Sequence, residues 1–242
     1  MIHLEDRGPV ALLTIDRQDR RNAVDHEALE QLLEAHGRSV DARVVVVTGA
    51  GGHFCAGADL SGVEDVAFTD LLRKVLAALR DDPRPLIAAV DGAALGAGTQ
   101  LALACDLRVA TPAARFGIPA AKLGLMVDHW TIQRLSLLAG AGPTRAMLLA
   151  AETYGGEDAT RLGFVQRLGD LDDALGWADE IAALAPLTIA GHKLALNHLE
   201  MRVGRGDDPG VHAAWEQAWG SEDLQEGIAA FRERRRPVFR GR

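Results

Sequence analysis

Several stretches of this chain combine residue types and spacings that could do chemistry. His26-Glu27-x-x-Glu30 offers the first half of a zinc-binding helix motif, but the second histidine that would complete the ligand set does not follow. It reads as a solvated helix face. Thr48-Gly49-Ala50-Gly51-Gly52 ends a β-branched run as a dinucleotide-binding turn would. Phe54, however, stands where a third glycine is needed, and another extended stretch follows in place of a helix. Gly96-Ala97-Gly98 opens a helical run. Unsatisfied N–H groups and the helix dipole favour negative charge at such a start, and small residues let a ligand approach the main chain. Asp128-His129 places a carboxylate and an imidazole among Met126, Val127 and Trp130. Apolar neighbours raise a carboxyl pKa toward a range useful for proton transfer. Asp128 is equally suited to cap the helical run from His129 to Leu138, and His129 reads as a surface or packing residue.

The elements that must position these residues alternate. Ile2 to Leu4 and Val10 to Ile15 predict a hairpin around Arg7-Gly8-Pro9. Asp25 is a plausible N-cap for a helix whose apolar stripe comprises Ala28, Leu29, Leu32, Leu33 and Val40. Val44 to Val47 reads as a strand buried on both faces. A helix is expected from Thr69 to Arg80, then a break at Pro83 and Pro85, a strand from Leu86 to Val90, a helix to Cys105, and a strand over Asp106 to Ala110. From Ala174 onward only helical patterns remain: Leu175 to Leu184, Ile189 to Met201, Val211 to Trp219 and Asp223 to Arg234. The expected class is therefore α/β, with a core over residues 1–185 and a helical subdomain over 186–242.

At 242 residues, 48% hydrophobic and 25% charged, the chain can bury a substantial core. The longest uncharged apolar stretch, Gly92 to Cys105, is too short for a membrane span. The acidic start, Met1-Ile2-His3-Leu4-Glu5-Asp6, does not resemble a secretory signal, so a cytoplasmic location is expected. Cys55 and Cys105 read as buried thiols, and no metal site is expected. A net charge of −8 argues against a nucleic-acid partner. The charge is uneven, however: six of the arginines lie between Arg232 and Arg242, and Gln225 to Arg242 sums to +4 against Glu226 and Glu233.

Taken together, Asp16-Arg17-x3-Arg21-Asn22-Ala23-Val24, Phe54-Cys55-Ala56-Gly57-Ala58-Asp59-Leu60 and Gly92-Ala93-Ala94-Leu95-Gly96-Ala97-Gly98 resemble the crotonase, or enoyl-CoA hydratase/isomerase, superfamily. Cys105-Asp106-Leu107-Arg108-Val109-Ala110, Phe116-Gly117-Ile118-Pro119 and Ala230-Phe231-x2-Arg234-Arg235-x-Pro237-x-Phe239 extend the likeness over the chain. The resemblance implies a ClpP-like spiral of ββα units whose carboxy-terminal helices build a homotrimer or a hexamer of paired trimers. It implies an enolate formed from a CoA thioester and held by two backbone N–H groups, those of Ala58 and Ala97. CoA is the ligand, and no separate cofactor is implied. By the same matching, Arg20, Arg21 and Ala23 line the adenine and pyrophosphate region, and Ala56, Ala58, Asp59 and Leu60 belong to the CoA-binding segment. Phe231 and Arg234 match positions that reach a neighbouring subunit's CoA. Asp59 and Asp91 themselves read as structural.

The chain departs from the family pattern where hydratases carry two glutamates, which here are Gln100 and Ala120. Gln100 can hold a water but cannot ionise near neutral pH, and Ala120 has no chemistry to offer. An oxyanion hole without hydratase carboxylates is expected, as in the actinobacterial paralogues the chain resembles. Asp128 is the leading substitute acid, at a position where some isomerising relatives carry Asp. The segment between Leu60 and Thr69 is shorter than the acyl-pocket region usual in hydratases, which suggests room for a long fatty acyl chain. A third role, presenting acyl-CoA to a lipid-biosynthesis enzyme, stays open beside binding and isomerisation.

Overall fold

Four consecutive β-branched residues, Val44 to Val47, are fully buried and form the centre of a sheet. The computed structural model describes residues 1–59, 66–203, 213, 216, 217 and 219–240. They fall into two compact units: Met1–Phe116 with Tyr154–His198, and Gly117–Thr153 with Leu199–Arg242.

In the first unit, β1 (Ile2–Arg7) and β2 (Val10–Ile15) form the antiparallel hairpin, turning at Gly8 with φ +75°. From β2 the chain adds parallel strands: β3 (Val44–Gly49), β4 (Leu86–Val90), β6 (Leu107–Ala110) and β9 (Arg167–Leu168), in the order β1-β2-β3-β4-β6-β9. Parallel neighbours require crossovers, which α1 (His26–Arg38) and α2 (Val66–Asp81) supply. Because strand side chains alternate, Val10, Leu12, Val44, Val46, Ile87, Ala89 and Val109 share one face. That face is covered by Ala174, Leu175, Ala178 and Ala182 of α7 (Leu171–Ala182). A smaller sheet joins β5 (Ala93–Leu95), β7 (Arg115–Gly117) and β8 (Tyr154–Gly155). The short α6 (Gly156–Arg161) follows β8, and α8 (Pro186–Val203) follows α7. This is the expected alternation of strand, glycine turn and helix.

Some boundaries differ from expectation, for local reasons. α1 ends at Arg38, where the Ser39 N–H donates to the His36 carbonyl, so Val40 lies beyond the helix and is 68% exposed. It is not part of the core stripe. α7 starts at Leu171 because Asp170 and Asp173 form a reciprocal capping box. α2 begins at Val66; residues 60–65, including Leu60 and most of the segment assigned to the acyl pocket, lie outside the described residues, as does most of 211–219.

In the second unit, α4 (His129–Ala139) and α5 (Ala141–Leu149) follow a 3-10 turn over Pro119–Leu123. The last helix, α9 (Glu222–Arg232), lies directly on that turn. A β-carbon on Gly227 would stand 2.3 Å from the Leu123 carbonyl oxygen, and one on Gly124 would stand 2.7 Å from that of Asp223. Only glycine permits so close a backbone contact.

Candidate functional site

The two glycine-rich loops of the first unit are joined by their backbones. Cys55 forms a parallel bridge with Ala94: its N–H donates to the Ala93 carbonyl at 2.8 Å, and its own carbonyl accepts from Leu95 at 3.0 Å. A second bridge pairs Val24 with Ala58; Val24 donates to Gly57 at 2.9 Å and accepts from Asp59 at 2.8 Å. In that arrangement the bonds flank Ala58, whose own N–H is turned away from Val24. Among the described residues no group accepts from Ala58 N–H or from Ala97 N–H, the first of α3 (Ala97–Ala104).

Glycine geometry makes this arrangement. Gly57 has φ +123° and Gly96 has φ +52°, both in the region that favours glycine. A β-carbon on Gly96 would lie 3.8 Å from the Gly57 Cα, so the two loops approach at backbone distance. Gly96 is the N-cap of α3 and makes no side-chain capping bond. The other end of α3 is held by Arg108, which is 1% exposed. Its guanidinium donates to the carbonyls of Ala102, Cys105, Asp106 and Phe164. A cation at this end complements the helix dipole. An arginine inside an apolar strand is the sequence signal for this support, and sequence reasoning passed over it.

Asn22 is a second support. It is fully buried with φ 60°, and its Nδ2 donates to the carbonyls of Ala50 at 2.8 Å and His53 at 2.5 Å, while Oδ1 accepts from Arg17 N at 2.8 Å. Arg17 pairs with Asp25 and sits 3.7 Å from Asp59. The Arg21 carbonyl accepts from Ala56 N at 3.0 Å. Arg20, Arg21 and Ala23 are thereby tied beside Ala56 and Ala58, with both arginine side chains exposed. Cys55 is buried, and desolvation pushes its thiol up to about 12, which removes it from nucleophilic chemistry near neutrality. His26, half-buried, meets the Phe68 ring edge-on at 5.5 Å, and Glu27 and Glu30 are exposed.

Gln100 lies on α3 three residues after Ala97, on the same helix face, and is 7% exposed. Ala120, Asp128, Phe231 and Arg234 belong to the second unit. Ala120 is in the Pro119–Leu123 turn. Asp128 is the N-cap of α4, with its Oδ1 accepting from Thr131 N at 2.9 Å. Phe231 is 60% exposed near the end of α9, and Arg234 is exposed with φ 55°. Leu60 lies outside the described residues.

A cavity of about 750 Å³ in the first unit, lined by His36, Val40, Arg84, Ile181, Leu184 and Leu187, is remote in sequence from these loops. Its buried polar groups satisfy one another: Asp82 accepts from His36 at 2.7 Å and from Arg84 at 2.6 Å. Among the described residues no helix is long and apolar enough to cross a membrane.

A model of the enoyl-CoA hydratase/isomerase family matches residues 5–242. The protein named "Probable enoyl-CoA hydratase echA6" from Mycobacterium tuberculosis (strain CDC 1551 / Oshkosh) is 43% identical over 251 residues, covering 100% of both chains. The 2,3-dehydroadipyl-CoA hydratase of Escherichia coli (strain K12) is 36% identical over 244 residues, covering 96% of each. A crystal structure of methylmalonyl-CoA decarboxylase superposes with a TM-score of 0.92 at 24% identity, over 100% of this chain and 98% of that one, and so shares the fold.

Proposed function

Since the chain belongs to the enoyl-CoA hydratase/isomerase family, which acts on CoA thioesters, we propose that it binds a fatty acyl- or enoyl-CoA with the thioester oxygen between the amides of Ala58 and Ala97, and that it hydrates such thioesters little or not at all. The observation that supports this is a contrast. Two N–H groups with no acceptor among the described residues stand on backbone-joined loops, while the positions of the hydratase carboxylates hold Gln100 and Ala120. The amides stabilise negative charge on the oxygen as an enolate develops. Gln100 can hold a water by hydrogen bonds but cannot take its proton, and Ala120 cannot return one to the α-carbon. Each missing acid–base group is worth about 10²- to 10⁴-fold in rate.

In this reading Arg20 and Arg21 meet the pyrophosphate region, and Phe231 and Arg234 reach the CoA of a neighbouring subunit in a trimer or hexamer. The short sequence between Leu60 and Thr69 is the ground for proposing a long acyl chain. A second reading makes Asp128 the base of an enoyl-CoA isomerase. The bond from Thr131 N to Asp128 Oδ1 favours a capping role over that one. Presentation of bound acyl-CoA to a lipid-biosynthesis enzyme is compatible with the first reading and is tested by pull-down with acyl-CoA present.

The deciding experiment combines calorimetry on acyl-CoAs of four to sixteen carbons, about the range of common fatty acyl chains, with turnover of enoyl-CoAs followed by mass and NMR. Affinity without hydration or isomerisation supports the binder. Equal or tighter binding of the four-carbon chain rejects the long-chain pocket, and isomerisation lost in Asp128→Asn supports the second reading.

A further inference from the structure

The carboxy-terminal tail is folded back along α9 by carboxylates of that helix. After α9 ends at Arg232, the left-handed backbone at Arg234 reverses the chain, and the Arg235 N–H donates to the Ala230 carbonyl at 3.0 Å. The Arg235 guanidinium then grips both oxygens of Glu226, at 2.5 and 2.8 Å, and its Nε reaches Glu233 at 2.5 Å. Glu226 also accepts from the Val238 N–H at 2.8 Å, and Asp223, one turn earlier, accepts from the Arg240 N–H at 2.6 Å. One arginine thus engages both acids of the tail segment, leaving Arg234 and Arg236 exposed beside Phe231. The same helix rests on the turn carrying Ala120 through the Gly227 and Leu123 backbones.

We propose that Glu226 is a positioning residue that holds the Phe231–Arg236 segment in the register at which it meets the nucleotide end of CoA, and so sets the preference for CoA thioesters over the shorter pantetheine thioesters. This rests on the reading that Phe231 and Arg234 reach CoA. A bidentate carboxylate–guanidinium pair fixes geometry as well as energy. Ordering the tail before the ligand arrives lowers the entropic cost of binding.

The test has a useful sign. Glu226→Gln removes a negative charge beside a basic segment, which by Coulomb attraction alone strengthens binding of a polyanion. Positioning predicts the opposite: about 2- to 10-fold weaker binding of acyl-CoA, with binding of the matching acyl-pantetheine unchanged. Arg235→Gln, on the exposed side of the same pair, should narrow the same preference. Calorimetry with both ligands on the full-length wild type and the variants reads this directly. A Glu226→Gln protein that binds acyl-CoA as tightly as wild type overturns the inference, and equal loss for both ligands, which marks general destabilisation, overturns it too. If wild type itself shows no preference for CoA over pantetheine, the reading of Phe231 and Arg234 falls and this inference falls with it.

Discussion

A β-carbon on Gly98 would lie 2.0 Å from the carbonyl oxygen of Cys55, so the first turn of α3 rests on the backbone of the loop that carries Ala58. If that contact sets the spacing between the Ala58 and Ala97 amides, widening it should weaken the site. Gly98→Ala must push the loops apart or strain both, at about 1–3 kcal/mol of stability. Loss of acyl-CoA affinity is expected to exceed what the fall in melting temperature explains. Unchanged affinity by calorimetry would mean that loop spacing does not set the site.

Asp128 separates capping from catalysis by substitution. Asn is as good an N-cap as Asp, so Asp128→Asn should leave stability within a few tenths of a kcal/mol, whereas Asp128→Ala should cost about 1 kcal/mol. Urea denaturation measures both. The cap was legible in the sequence as a carboxylate immediately before a helical run, and the structure supplies its acceptor role.

Elsewhere the sequence was informative in proportion to periodicity. Val44 to Val47 and Leu86 to Val90 carry long apolar runs, and the strands match them. The second sheet went unread because β5, β7 and β8 have only 3, 3 and 2 residues, too few for an alternation to show. The bridge that joins the two glycine-rich loops, Cys55 with Ala94, and the one that ties Ala58 to Val24 each involve single residues and depend on tertiary contact alone. Motif resemblance drew attention to these loops. The buried supports, Asn22 and Arg108, bond mostly to main-chain carbonyls; a charged residue within the apolar strand marks Arg108, but no pattern of side chains identifies the carbonyls it meets.

Asp82 should govern part of the acid stability. Burial would raise its pKa, but hydrogen bonds from His36 and Arg84 outweigh that effect and hold the carboxyl well below the usual range. A depressed folded-state pKa contributes stability that is fully present above the unfolded value, about 3.9, and is lost as pH falls through the folded value. Asp82→Asn should flatten the acid limb of stability against pH below about 4. At neutral pH it should cost about 3 kcal/mol, because Arg84 is left without its carboxylate. An unchanged acid limb in chemical denaturation would assign that dependence to other carboxylates.

If the missing carboxylates are what silences hydration, restoring them should awaken it. Gln100→Glu with Ala120→Glu is expected to raise hydration of a short enoyl-CoA by at least about 10²-fold over wild type, and either single change by less. A double variant no faster than wild type would indicate that the acyl pocket, rather than the missing acids, limits the reaction.

In the proposed function this chain holds CoA thioesters at the Ala58 and Ala97 amides without adding water to them. The direct test is a single-turnover incubation of an enoyl-CoA with excess wild-type protein, at concentrations where calorimetry shows the ligand bound, with the thioester recovered and weighed by mass spectrometry. Intact enoyl-CoA should be recovered over minutes if the chain binds without hydrating. Conversion to the 3-hydroxyacyl-CoA at ordinary enzymatic rates, about 1–10³ per second, would contradict it.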